Sequence, residues 1–203
     1  MPNDQSFIDR ASAIKHQPRV DRWYFDVAIG SVCLTGEDIG GAYCLIAACL
    51  APGIGVPRHM HTREDEAYYV LSGELEVTVA GECYVLGAGD TLMAPRGIPH
   101  QLRNSGDQEN HYLLVFSPSG FENFLKATAI PAPPDAVAPN EPPAVAVRNV
   151  HALAEEYGIE FGCSDCHPGC PRDINQLNAI AYMRKEHDPN CHRDREHAPR
   201  TEQ

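Results

Sequence analysis

The sequence predicts an all-β protein, a sandwich or small barrel, on three observations. Strand-sized segments follow one another closely between residues 22 and 116, with Gly, Pro, Asn and Asp gathered between them. Residues 42–51 are almost continuously apolar, the pattern of a strand covered on both faces. In residues 74–79, Leu75, Val77 and Val79 alternate with Glu74, Glu76 and Thr78, which puts the two sets on opposite faces of a strand.

The elements follow in order. Residues 22–29 are β-rich and stop at Gly30; residues 31–35 form a second short strand, and residues 36–41 a turn. After the apolar run, the Gly/Pro-rich residues 52–57 form a loop, and residues 58–61 a short extended piece. Residues 66–71 and 74–79 read as a hairpin around Ser72-Gly73, and residues 83–86 as the next strand after Ala80-Gly81. Residues 90–94 form a strand, 95–99 a loop, and 100–104 with 111–116 a further hairpin around Ser105-Gly106-Asp107. The pattern then changes to a helix over 120–128 with Ser119 as N-cap and Glu122 three residues on. A proline-rich linker spans 131–143, a short amphipathic helix ends at Gly158, and residues 159–161 form an edge strand. The expected organisation is an arm (1–21), a β-barrel (22–118), a helical C-terminal extension with the linker (119–162) and a Cys/His-rich, disordered tail (163–203).

Acidic residues outnumber basic ones, 28 to 16, for a formal net charge of -12. That balance repels phosphate backbones and argues against nucleic acid as a partner. No apolar leader follows the first residues and no run reaches membrane-spanning length, so a soluble, cytoplasmic protein is expected, with no membrane partner. Without a secretory signal, Cys33, Cys44, Cys49 and Cys83 read as buried free thiols.

The chemistry is concentrated between Gly53 and Asn104. His59 and His61 are two apart, so in a strand both imidazoles share a face. Glu66 has the wrong parity for the same strand, and the polar residues 62–65 must turn the chain before it. Of the neighbouring carboxylates, Glu64 and Asp65 read as solvated turn residues. His100 follows a Pro95-Arg96-Gly97 turn that lets the chain approach closely. Three imidazoles and one carboxylate suit a first-row ion such as Fe, Ni, Mn or Zn and leave coordination positions open for substrate, O2 or water. Tyr68 shares the face of Glu66, one of Leu92 and Met93 should border the pocket, and His111 reads as an ordinary strand histidine. Arg58 lies one residue and Arg103 three residues from a candidate ligand, odd offsets that put both on the outer face.

These residues resemble a known family. Gly53 to Gly73 matches the first cupin motif: Gly, five residues, His-X-His, four residues, Glu, six residues, Gly. Gly89 to Asn104 matches the second: Gly, five residues, Pro-X-Gly, two residues, His, three residues, Asn. Over residues 22–162 the chain is similar to single-domain cupins of the quercetin 2,3-dioxygenase-like type. The resemblance implies a jelly-roll β-barrel, a homodimer, and a ligand role for His59, His61, Glu66 and His100. It points to a dioxygenase acting with O2 on a small enol, catechol or flavonol-like molecule, with Glu66 also as general base. A non-catalytic metal-dependent binding or sensing module and a metal-assisted isomerase or decarboxylase remain as alternatives, because the superfamily hosts many reactions. In the tail, Cys163, Cys166, Cys170 and Cys191 have partial zinc-like spacing for a second, structural Zn site, and residues 174–184 carry a helical repeat.

Overall fold

The computed structural model describes residues 22–25, 27–141, 143–161 and 192–193. The arm and the tail readings (zinc, helix and disorder) lie outside the described residues, apart from residues 192–193. The first strands are β1 (Arg22–Phe25), β2 (Ala28–Leu34), β3 (Cys44–Leu50), β4 (Gly55–His61) and β5 (Asp65–Ser72), with a one-turn helix α1 (Gly36–Ile39) between β2 and β3. They continue as β6 (Leu75–Val79), β7 (Glu82–Leu86), β8 (Thr91–Ala94), β9 (His100–Arg103) and β10 (Asn110–Ser117). The C-terminal part adds α2 (Phe121–Thr128), β11 (Ile130–Ala132), α3 (Ala144–Leu153), a 3-10 turn (Glu155–Tyr157), β12 (Ile159–Phe161) and β13 (His192–Arg193).

These strands form two sheets, one in the order β11-β1-β2-β3-β10-β5-β8 and the other β12-β4-β9-β6-β7-β13. The architecture is the jelly roll expected. Among the described residues no ladder joins the two sheets, so the closed barrel opens into a sandwich. Its core lies between the sheets: Ile29, Ile46, Val70 and Phe116 from one face meet Leu75 and Val77 from the other. Burying side chains of this size stabilises by about 1.5–3 kcal/mol each.

Sequence and structure part at several turns. Residues 66–71 and 74–79 do not form a hairpin: β5 pairs with β8 and β10, and β6 with β7 and β9 in the opposite sheet. Likewise β9 and β10 do not pair with each other, and residues 104–109 carry the chain from one sheet to the other. A turn signal marks where the chain reverses, not which sheet receives it. Gly30 does not end a strand but lies inside β2, where a Cβ would stand 2.1 Å from the Ala47 carbonyl oxygen. Its lack of a side chain admits β3 at close range. The expected turn at 36–41 contains α1, ended by Gly40 at φ 70. The loop at 52–57 is shorter than expected because β4 begins at Gly55.

The C-terminal extension packs back on the sandwich. The N-cap of α2 is Gly120, not Ser119, and it makes no side-chain cap. Glu122 fills that role from within the helix: its carboxylate accepts from Gly120 N–H and Gly36 N–H, both at 2.8 Å. It thereby satisfies a donor that α2 itself leaves open and ties the helix to α1. The proline-rich linker begins as a strand, since β11 pairs with β1, and Arg22 donates to the Ala136 carbonyl. Phe124 of α2 meets Val150 of α3, Ala154 at that helix's C-cap and Ile159 of β12 in a second apolar cluster. Gly158, at φ 80, ends the helical segment as expected. β12 then pairs antiparallel with β4 and covers its outer edge, Ile159 opposite His61 and Phe161 opposite His59.

The cysteines correct one expectation. Cys33, Cys44 and Cys49 are free, although Cys33 is only half-buried. Cys83 is disulfide-bonded, not a free thiol. Its strand β7 runs beside β13 from the tail, with His192 opposite Tyr84. The compositional argument for reduced thiols could not see that pairing.

Candidate metal centre

Along β4, Gly55, Pro57, His59 and His61 face inward while Val56, Arg58 and Met60 are partly exposed. The period-2 alternation thus puts both imidazoles in the core, as the spacing predicts. Pro57 has no N–H to give to a ladder, and the pairing with β9 shifts register between Val56 and His59. Beyond the shift, His59 lies directly opposite His100, with ring centroids 4.4 Å apart.

His100 is delivered by the loop at 95–99, which is held on two sides. Gly97 N–H donates to the His61 carbonyl at 2.7 Å, at a φ of 73 that glycine adopts freely. Arg96 donates to Asp65 from its backbone N–H (2.9 Å), Nε (3.1 Å) and Nη2 (2.8 Å). That pairing pulls the Asp65 carboxyl down to about 2. Glu66 comes from β5 in the other sheet, so the group straddles the sandwich: three histidines from one layer, one carboxylate from the other.

All four residues are buried, at 2–6% exposure. One ligand atom from each lies within 4.8 Å of the others. His100 Nε2 stands 2.9 Å and His61 Nε2 3.3 Å from Glu66 Oε2. On the far side of the rings, His59 Nδ1 lies 2.9 Å from the Pro57 carbonyl and His100 Nδ1 2.9 Å from the Ile98 carbonyl. Those carbonyls can only accept, so each Nδ1 carries a hydrogen and each Nε2 is the ring nitrogen left to face the group. The donor set and tautomers suit a divalent first-row ion.

Electrostatics agree with that assignment. Burial, then the neighbouring His100 and His61, push His59 down to about 3, so its ring is neutral at ordinary pH. Burial works against ionisation of Glu66, but hydrogen bonds from His100 and His61 prevail and hold it below the usual carboxylate range. Burial opposes protonation of His100, and its contact with Glu66 overrides that and raises it above 6.5. Beside an ionised Glu66, His100 thus holds a proton more readily than an ordinary imidazole does. An incoming ion must displace it. Because the folded value of His100 lies above that of an ordinary histidine, competition by protons sets in as pH falls through that raised value. Apparent metal affinity is expected to decline with falling pH from there, with protons released on binding. Calorimetric titration in buffers of differing ionisation enthalpy measures both.

The surroundings are apolar. Phe116 and Phe121 stack at 3.9 Å and both stand edge-on to His61, at 5.2 and 5.1 Å. The Phe161 ring lies 5.8 Å from that of His59. Among the described residues no Lys or Arg lines the cavity, whose free space is about 60 Å³. That is room for water or a small molecule, well short of the roughly 300–1,000 Å³ of a site that encloses a drug-sized ligand.

The remaining sequence candidates sort cleanly. Tyr68 is buried on the face of Glu66, and burial followed by that carboxylate keeps its phenol protonated. Met93 is 56% exposed and Leu92 packs on the core, so neither borders the cavity. Arg103 is on the outer face, paired with Glu76 at 3.0 Å. Exposed His111 pairs with Glu109 at 3.3 Å. Cys49, Glu109 and His111 also cluster. There, however, Arg22 Nη2 sits 3.9 Å from Cys49 Sγ and Ala138 N–H occupies Glu109 at 2.8 Å, which places positive charge where an ion would go. Glu64 departs from expectation: it is 4% exposed, not a solvated turn carboxylate. Sequence reasoning also missed Phe121 and Phe161, which lie outside both motifs. Their one signal was the aromatic content of the extension.

Fold and site together define a jelly-roll sandwich with a His3Glu group at its centre. Residues 47–116, about a third of the chain, match the family model of the cupin domain, so this segment is similar to cupins. Among curated proteins it is similar to polyketide synthase CurC of Streptomyces cyaneus, 38% identical over 71 residues, which is 35% of this chain and 46% of that protein. It is also similar to quercetin 2,3-dioxygenase of Bacillus subtilis (strain 168), 32% identical over 83 residues, 41% of this chain and 25% of that protein. It spans less than half the length of either relative. Among solved structures it resembles a predicted oxalate decarboxylase from Thermotoga maritima, 23% identical with a TM-score of 0.48, covering 52% of this chain and 99% of that one. No described helix is long and apolar enough to cross a membrane.

Proposed function

We propose that His59, His61, Glu66 and His100 bind one divalent transition-metal ion, and that the protein is a dioxygenase-type oxidoreductase acting on a small neutral enol or catechol-like aromatic. The observation that supports this best is the convergence of three inward Nε2 atoms and one carboxylate beneath a wall of phenylalanines. The ion would acidify a substrate hydroxyl and, if redox-active, relay electrons between substrate and O2. Glu66, ionised and reaching the same point from the opposite sheet, accepts the hydroxyl proton. Phe116, Phe121 and Phe161 give an aromatic ring apolar surface and keep water from it.

The absence of cationic side chains among the described lining residues disfavours anionic keto acids and phosphosugars, and with them the isomerase or decarboxylase reading. The small free space requires the cover formed by α2 and β12 to shift for a substrate as large as a flavonol. Similarity to a polyketide synthase favours a second reading with the same ligand chemistry: an aromatic polyketide bound, or rearranged, without oxygen uptake. The test is O2 consumption by metal-loaded protein over a panel of flavonols, catechols and polyphenolic enols. Substrate-dependent uptake is expected. Tight binding with no uptake across the panel would replace the oxygenase by the binding or non-redox reading.

A further inference from the structure

His61 differs from its two companions. The Nδ1 atoms of His59 and His100 each meet a carbonyl two residues upstream, whereas His61 Nδ1 is buried with no hydrogen-bond partner. The atom facing it is Glu64 Oε2, at 3.9 Å, which is also buried and without a partner. Two facing orphans at such a distance, an imidazole nitrogen and a carboxylate oxygen, are uncommon in a folded core, where each costs free energy unless paired. A movement of about 1 Å would bring them into hydrogen-bond range. Room for the carboxylate comes from Gly120 at the head of α2, where a Cβ would stand 2.9 Å from Glu64 Oε1.

We propose that Glu64 is the positioning carboxylate of His61: when an ion occupies the centre, His61 Nδ1–H donates to Glu64 Oε2, which aims Nε2 at the ion. The inference rests on the metal-binding reading above. Its physical sense is twofold. A carboxylate on the far nitrogen fixes the tautomer and strengthens the imidazole as a donor. It also brings a second negative charge to the group, so that with Glu66 it balances a dication inside a dry core.

The test uses the full chain and Zn2+. Glu64→Gln keeps the shape of the side chain and removes its charge. It is expected to weaken Zn2+ binding by about 10- to 100-fold with an unchanged circular dichroism spectrum. In the zinc-loaded protein the three histidine Nδ1–H resonances report their acceptors separately. That of His61 should move in Glu64→Gln, and those of His59 and His100 should stay. A purely structural role would shift all three or none. Glu64→Asp, which keeps the charge but retracts it, should fall between wild type and Glu64→Gln in affinity, and stands in if Glu64→Gln does not fold. Zn2+ affinity within twofold of wild type, or an unmoved His61 resonance, overturns the proposal. Wild-type protein that binds no Zn2+ overturns the metal reading itself, which is a separate outcome.

Discussion

Replacing His59 and His61 together by alanine is expected to abolish stoichiometric metal while leaving a folded sandwich. Both side chains project from β4 into the group, and His59 and His100 face each other across the β4–β9 ladder. What remains, His100 and Glu66, would turn to each other through the 2.9 Å contact between Nε2 and Oε2. Two donors in that arrangement form an ion pair rather than a metal site. The backbone ladders on either side of β4, to β9 and β12, do not involve the imidazoles and should hold the strand in place. Elemental analysis with far-ultraviolet circular dichroism checks both halves. Undiminished metal would move the site elsewhere in the chain; a lost fold would mean that the histidines support the core more than they serve an ion.

Asn104→Ala is expected to cost about 3 kcal/mol of stability, the largest single-site effect away from the metal group. Asn104 is fully buried. Its Nδ2 donates to the carbonyls of Leu50 (2.8 Å) and Gln108 (2.7 Å), and its Oδ1 accepts from Gly106 N–H (3.0 Å). Truncation orphans two acceptors and a donor where water has little access. The side chain holds the segment by which the chain leaves β9 for β10 in the opposite sheet, and it pins that segment to the end of β3. A urea titration should show the midpoint shift. A change below about 0.5 kcal/mol would mean that water replaces the amide without strain. Metal stoichiometry should survive, because none of the four metal-group residues takes part in this network.

Both results bear on how far the site was legible in the sequence. His59, His61, Glu66 and His100 come together as the motif spacing predicts, because period-2 alternation and a tightly held turn are local properties. Asn104 was visible as a motif residue, but its work as a clamp between sheets was not. The sheet assignments of β6 and β10 were misread for the same reason: Ser72-Gly73 and Ser105-Gly106-Asp107 signal reversal equally well for a hairpin and for a crossing. Glu64 looked solvated because its neighbours are polar. Its burial comes from α2, which arrives far downstream and presents a glycine there. Cys83 was misjudged because strand pattern and composition carry no sign of which thiol is oxidised.

The strand addition of Ile159–Phe161 onto β4 has a practical bearing on the boundaries of the autonomous unit. The segment that matches the family model, residues 47–116, holds all four residues of the metal group yet ends well before β12. A fragment cut to that segment would present a raw, hydrogen-bonding edge on the very strand that carries two of the histidines, and such edges recruit other chains into aggregates. Expression and engineering of this protein therefore need the polypeptide at least through Phe161, and variation at positions 159–161 offers a way to retune the centre from outside its signature residues.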